Sequence, residues 1–167
     1  MKSIIYTDGS ACVKGKCKCE SVSCPKCSRF GGLGSYILTE GEEEFYISKG
    51  YKNTTISRME IRAVLYSIEH FDKNKKIDIQ IYSDSQFVVN SFNEGWLKNW
   101  ERDSFFDRKN SDLWKRILKA LKDRPLMTFK ITHTRGHRKD LQDDIAFGNH
   151  IADILCSYKN FENQKED

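Results

Sequence analysis

Residues 57–84 read SRMEIRAVLYSIEHFDKNKKIDIQIYSD, and this stretch decides the fold class. In its first half Met59, Ala63, Ile68 and Phe71 recur at helical spacing, with Ile61, Val64 and Leu65 filling in between them. Ser57, followed three residues later by Glu60, reads as a capping box at the start of that helix. In the second half Ile77-Asp78-Ile79-Gln80-Ile81-Tyr82 alternates apolar and polar side chains, the pattern of a strand. A helix running into a strand calls for a sheet with helices packed on it.

Working toward the N-terminus, Phe45–Ser48 and Ser35–Leu38 are β-prone runs. They are separated by an acidic turn at Glu40–Glu44, and Gly31-Gly32-Leu33-Gly34 leads into the second. Ser3–Tyr6 is a further strand, ending at the turn-like Asp8-Gly9-Ser10, so the first fifty residues form an antiparallel meander. Toward the C-terminus, Ser85–Phe92 reads as a helix and Trp96–Trp100 as a turn or helix. Leu113–Leu121 is an amphipathic helix, Met127–Thr132 a strand, and Ile145–Tyr158 a closing helix followed by a polar tail. The element order is β-β-β-α-β-α-α-β-α, an α/β class.

A length of 167 residues with 38% hydrophobic content suits one domain with a real core. No apolar run approaches a membrane span. The apolar stretch near Met1 is too short for a secretion signal. A cytoplasmic protein is expected, and in that setting a cysteine cluster reads as metal binding before disulfides. Five of the six cysteines fall between Cys12 and Cys27. The net charge of +4 permits a polyanion partner. Residues 13–29 hold Lys14, Lys16, Lys18, Lys26 and Arg29 against Glu20, so the whole excess belongs to this segment and the remainder is neutral.

Four carboxylates stand where chemistry could use them. Asp8 ends the first strand, Asp84 ends the fourth, Glu60 lies in the first turn of a helix and Asp153 lies in the last helix. Most of the chain's 24 acids are ordinary surface residues, and aspartate at a strand end is a common turn residue. If the two strands are neighbours, however, the carboxylates crowd together and require a counter-charge. Mg²⁺ suits such a site because it is hard and oxygen-seeking. Two such ions can activate a water and stabilise a leaving oxygen in phosphodiester hydrolysis.

The words Tyr6-Thr7-Asp8-Gly9-Ser10, Ser57-Arg58-Met59-Glu60, Tyr82-Ser83-Asp84-Ser85, Arg135-Gly136-His137 and Gly148-Asn149 through Asp153 occur in this order. Together they resemble type 1 ribonuclease H, over nearly the whole chain from Ser3 to about Tyr158, residues 13–29 excepted. The resemblance implies a five-stranded mixed sheet, three antiparallel strands and then parallel ones, flanked by helices. It divides the chain into one domain over 1–160, with 13–29 as an insertion and 161–167 as a polar tail. It further implies an endonuclease that cuts the RNA strand of an RNA/DNA hybrid with two Mg²⁺ ions, Mn²⁺ able to substitute. Asp8, Glu60, Asp84 and Asp153 match the metal-binding positions, Asp8 being shared by both ions. His137 matches a histidine that assists catalysis and product release. Thr55 and Asn110 match a pocket gripping a DNA phosphate, Gln86 a minor-groove contact, and Phe87 and Trp96 the lining of the DNA-strand channel.

Two departures from the family bear on substrate grip. From Trp96 to Arg116 there are six basic and four acidic residues, where some members carry a strongly basic handle. Ile56 and Ser57 stand where some members carry asparagines that touch the hybrid; Ser57 can still donate a hydrogen bond. The insertion holds Cys17-Lys18-Cys19 and Cys24-Pro25-Lys26-Cys27, a spacing that suits a structural Zn²⁺, with Cys12 as a substitute ligand. Free thiols or a redox-switched disulfide are the plainer uses. The insertion would sit on the hairpin after Asp8, where it would touch nucleic acid or dock a protein partner. A monomer is expected. A hybrid-binding module without catalysis and a related two-metal DNA nuclease of the same fold stay open as alternatives.

Overall fold

The computed structural model describes residues 1–12, 30–135, 143–157 and 165–167. The strands are β1 (Lys2–Ala11), β2 (Gly31–Thr39), β3 (Phe45–Lys52), β4 (Ile77–Ser83), β5 (Met127–His133) and a two-residue β6 (Lys165–Glu166). The helices are α1 (Ile56–Glu69), α2 (Gln86–Asn93), α3 (Trp96–Arg102), α4 (Ser111–Lys122) and α5 (Asp144–Cys156). They form one mixed sheet in the order β5-β4-β1-β2-β3-β6. The β1–β2 and β2–β3 pairs are antiparallel, and β1–β4, β4–β5 and β3–β6 are parallel.

Period-two alternation along the central strands gives each face of the sheet its own core. One face carries Ile5, Leu33, Ile37, Ile79 and Ile81 against Met59, Val64, Leu65 and Ile68 of α1 and Trp114 and Ile117 of α4. The other carries Tyr6, Tyr36 and Tyr82, stacked in a row, under Ala152, Ile151 and Leu155 of α5. No described helix is long and apolar enough to cross a membrane.

The element order matches the sequence reading except between β4 and β5, where Trp96–Arg102 is a helix of its own and makes three helices instead of two; there are three further differences. First, β2 begins at Gly31, so the glycines expected to lead into the strand belong to it. Second, α1 starts earlier than Ser57. Its N-cap is Thr55, whose Oγ1 accepts a hydrogen bond from the Arg58 N–H at 3.3 Å. Ser57 is exposed within the first turn and Glu60 is buried, so the expected Ser57–Glu60 capping box does not form. The glutamate is drawn inward, toward the end of β1, rather than back to the cap. Third, Lys165–Glu166 of the expected polar tail add a sixth strand along Tyr51 and Lys52 of β3.

Two glycines set how closely the helices approach the end of β1. A Cβ on Gly9 would stand 2.4 Å from the Glu60 backbone nitrogen, so α1 comes into backbone contact there. Gly34 is the β2 partner of Asp8, and a Cβ on it would stand 2.4 Å from the Ala152 oxygen and 2.6 Å from the Cys156 nitrogen. Helix α5 therefore lies directly on the sheet opposite Asp8. Gly34→Ala should lower the unfolding free energy by about 2 kcal/mol, as overpacking does. Urea denaturation measures it, and a loss below about 0.5 kcal/mol, the usual scale of a surface change, would show that α5 is not seated this tightly.

Candidate active site

The parallel register Tyr6↔Tyr82, Thr7↔Ser83 brings the ends of β1 and β4 level. Asp8 and Asp84 follow those pairs directly and so emerge side by side. The turn after β4 is held by the Ser85 N–H, which donates to Ser83 Oγ at 3.2 Å. It is also held by His133, whose Nε2 lies 3.2 Å from the Asp84 carbonyl oxygen. Glu60 enters from α1. Carboxylate oxygens of Asp8, Glu60 and Asp84 all lie within 4.8 Å of one another. From the other face α5 supplies Asp153 and, one turn on, Cys156, and these form a second group of the same closeness with Asp8. Asp8 thus belongs to both groups.

The electrostatics follow from this crowding. Burial, helped by the negative charges of Asp84 and Asp153, pushes the Asp8 carboxyl up to about 7, against the lowering effect of the Gly9 N–H at 2.7 Å. Burial, with Asp8 and Asp84 beside it, raises Glu60 well above the ordinary carboxylate range. Glu60 Oε2 is buried and has no hydrogen-bond partner among the described residues. Such an oxygen is costly to leave without a partner. Hard oxygen donors, excess negative charge and an orphaned buried carboxylate oxygen together fit a hard divalent cation.

Thr55 and Asn110 meet at Arg58: Thr55 caps its helix, and Asn110 Oδ1 accepts from Arg58 Nη1 at 3.4 Å. Asn110 stands in the left-handed region (φ 59°), where the chain turns into α4. Phe87 and Trp96 are 40% and 36% exposed, and both rest against Trp100, with Trp114 fully buried beneath. They form an aromatic ledge. Gln86 is exposed at the start of α2, its amide donating to Asn90 Oδ1 at 2.6 Å. His137, and Cys17, Cys19, Cys24 and Cys27, lie outside the described residues. Cys12 is buried at the end of β1, its N–H donating to the Phe30 oxygen at 2.7 Å.

Several residues at the site were not singled out from the sequence. Arg58 was quoted only as a letter in the Ser57–Glu60 word, yet it joins Thr55 to Asn110. Cys156 is buried against Asp8 and Asp153. Its spacing of three from Asp153 was the available signal, because that spacing puts both on one helix face. Asp143 is the N-cap of α5, accepting from the Ile145 and Ala146 N–H groups at 2.8 and 3.0 Å. It thereby fixes the start of the helix that carries Asp153.

Comparison with known proteins agrees with the geometry. The RNase H family model matches residues 1–160. A protein named Ribonuclease H from Lachnoclostridium phytofermentans is 36% identical over 164 residues, covering 92% of this chain and 97% of its own length. The native prototype foamy virus protease–reverse transcriptase is similar in structure at a TM-score of 0.73 and 26% identity, over 97% of this chain and 21% of the viral one. LC11-RNase H1, solved in complex with an RNA/DNA hybrid, shares the fold at a TM-score of 0.57 and 18% identity, covering 92% of this chain and 93% of its own.

Raised carboxyl groups make the cation-free protein sensitive to pH in a definite direction. Asp8 holds its proton more tightly folded, near 7, than unfolded, near 3.8. Its contribution to stability is therefore complete below about 4 and is lost as pH rises through about 7. Glu60 acts in the same sense. Without divalent cations the melting temperature should fall across this window, Mg²⁺ should restore it above pH 7, and Asp8→Asn should flatten the fall. A cation-free melting temperature that holds steady or climbs through the window would contradict this electrostatic picture.

Proposed function

This chain belongs to the ribonuclease H family, and on that footing we propose that it is an endonuclease hydrolysing the RNA strand of RNA/DNA hybrids. The observation that carries the proposal is the meeting of Asp8, Glu60 and Asp84, with Asp153 closing from α5, around a buried carboxylate oxygen without a partner. Asp8, Glu60, Asp84 and Asp153 would hold two Mg²⁺ ions, or Mn²⁺ in their place, with Asp8 serving both. Bound there, the ions supply a water nucleophile at neutral pH and charge stabilisation at the leaving oxygen.

The protein's own groups do the rest. Thr55 and Asn110, with Arg58 between them, grip a phosphate of the DNA strand. Phe87 and Trp96 line the path of that strand, and Gln86 and Ser57 face the minor groove, where 2′-hydroxyls distinguish RNA from DNA. His137, following Arg135 and Gly136, takes up or releases a proton at the reacting oxygens and helps product leave. A structural Zn²⁺ on Cys17, Cys19, Cys24 and Cys27, with Cys12 as substitute, would order a basic loop beside this site and add substrate grip. A monomer working in the cytoplasm completes the reading.

One labelled RNA strand presented as RNA/DNA, as RNA/RNA and alone tests the proposal. Cleavage in the RNA/DNA duplex only, dependent on Mg²⁺, is expected; cleavage of all three, or of none, contradicts it. Asp84→Asn should abolish cleavage while leaving hybrid binding measurable. Zinc content of protein purified without chelator tests the loop, and a ratio near zero removes the zinc. Deleting residues 13–29 should raise KM most at low salt and make its dependence on salt shallower, and an unchanged KM with an unchanged salt slope would show that the loop does not touch the hybrid.

A further inference from the structure

A second concentration of buried charge lies beside the start of α1. Arg62 is 8% exposed, Thr54 is fully buried and Arg58 is half-buried. All three converge on the side-chain carboxylate of Asp167, itself 1% exposed. Arg58 donates from Nε at 2.6 Å and from Nη2 at 2.9 Å. Arg62 donates from Nε at 2.9 Å and also from Nη2. The Thr54 hydroxyl donates at 2.5 Å. These partners hold the Asp167 carboxyl down at about 2. The outer edge of Arg58 also meets the exposed Asp112, at 2.9 and 3.0 Å.

This donor set is not specific to a carboxylate. Two guanidinium forks and a hydroxyl also match the oxygens of a phosphodiester, which carries the same single charge as a carboxylate. Buried guanidinium groups without an anion are costly, so the pocket always demands one. Its present occupant reaches it on a weak tether: β6 is two residues long and, among the described residues, pairs with β3 at the edge of the sheet. Short edge elements of this kind open far more readily than the sheet they join. The same Arg58 that grips Asp167 contacts Asn110 and is capped by Thr55. The carboxylate therefore sits one guanidinium away from residues assigned above to a nucleic-acid phosphate.

We propose that Thr54, Arg58 and Arg62 form an exchangeable anion pocket in which Asp167 stands in for a backbone phosphate, so that residues 165–167 compete with nucleic acid for their own enzyme. The phosphate's identity as part of a hybrid rests on the function proposed above; the exchange of carboxylate for phosphate does not. Withdrawal of Asp167 frees the Nε edge of Arg58, whose outer edge stays on Asp112, together with Arg62, and adds a phosphate contact that the mixed-charge segment from Trp96 to Arg116 does not supply.

Two variants test it: Asp167→Asn, which removes the charge but keeps the backbone pairing of β6, and deletion of residues 165–167. Each is assayed for hybrid cleavage, and separately for thermal unfolding with and without inorganic phosphate. The expected result is a fall in KM of about tenfold with kcat unchanged, the gain when about nine tenths of wild-type molecules hold the pocket shut. Inorganic phosphate should raise the melting temperature of both variants and leave that of the wild type where it is. A KM that stays or rises in both variants overturns the competition. Melting temperatures that ignore phosphate in both variants overturn the pocket. If the wild type cuts no hybrid, the function proposed above fails, and the phosphate arm still decides the pocket.

Discussion

The parallel pairing of β1 with β4 is the constraint on which the rest of the molecule depends. Its register sets Thr7 opposite Ser83 and so forces Asp8 and Asp84 out of the sheet at the same level. Two carboxylates held this way repel, and burial removes the water that would screen them. Backbone hydrogen bonds of a central strand pair and the isoleucine core beneath it hold the arrangement regardless. The sheet thus holds an electrostatic strain at the ends of these two strands that a divalent cation would relieve.

The helices bring the remaining ligands because two strand positions lack side chains. Gly9 admits the backbone of α1, and with it Glu60; Gly34 admits α5, and with it Asp153 and Cys156. One face of the sheet delivers an acid from above Asp8 and the other delivers an acid and a thiol from below. Each helix is also pinned at its N-terminus by a side-chain cap, Thr55 for α1 and Asp143 for α5. Carboxylates that must meet within a few ångströms are therefore carried on elements whose ends are fixed, as a preorganised site requires. The proposed anion pocket uses the same helix: Arg58 and Arg62 lie on α1 within two residues of Glu60, so one element carries both an acid of the proposed cation site and the cradle proposed for an anion.

The sequence made much of this readable. Strand-end aspartates, the period of α1 and the alternation of β4 are local patterns, and local patterns predicted the five main strands and four of the five helices, with Trp96–Trp100 left between turn and helix. Glu60 was readable as a site residue from the family words, yet the same Ser57–Glu60 spacing also spells a capping box. Only the tertiary closeness of Gly9 to α1 distinguishes the two. Gly31–Gly34 was read as a lead-in because glycine is poor in strands; the close approach of α5 is what makes it useful there. The Asp167 pocket had no local signal, since its partners lie more than 100 residues away along the chain. Cys156 stands three residues from Asp153, a spacing that puts both on one helix face, but a buried cysteine is usually a core residue.

Everything functional rests on Asp8 standing at the junction of two groups of ligands. Calorimetric titration of the protein with Mn²⁺, comparing wild type with Asp8→Asn and Glu60→Gln, reads this directly. The account predicts binding by the wild type, its loss in Asp8→Asn because the shared carboxylate is gone, and a partial loss in Glu60→Gln. Binding of Mn²⁺ by Asp8→Asn with wild-type affinity and stoichiometry would contradict it.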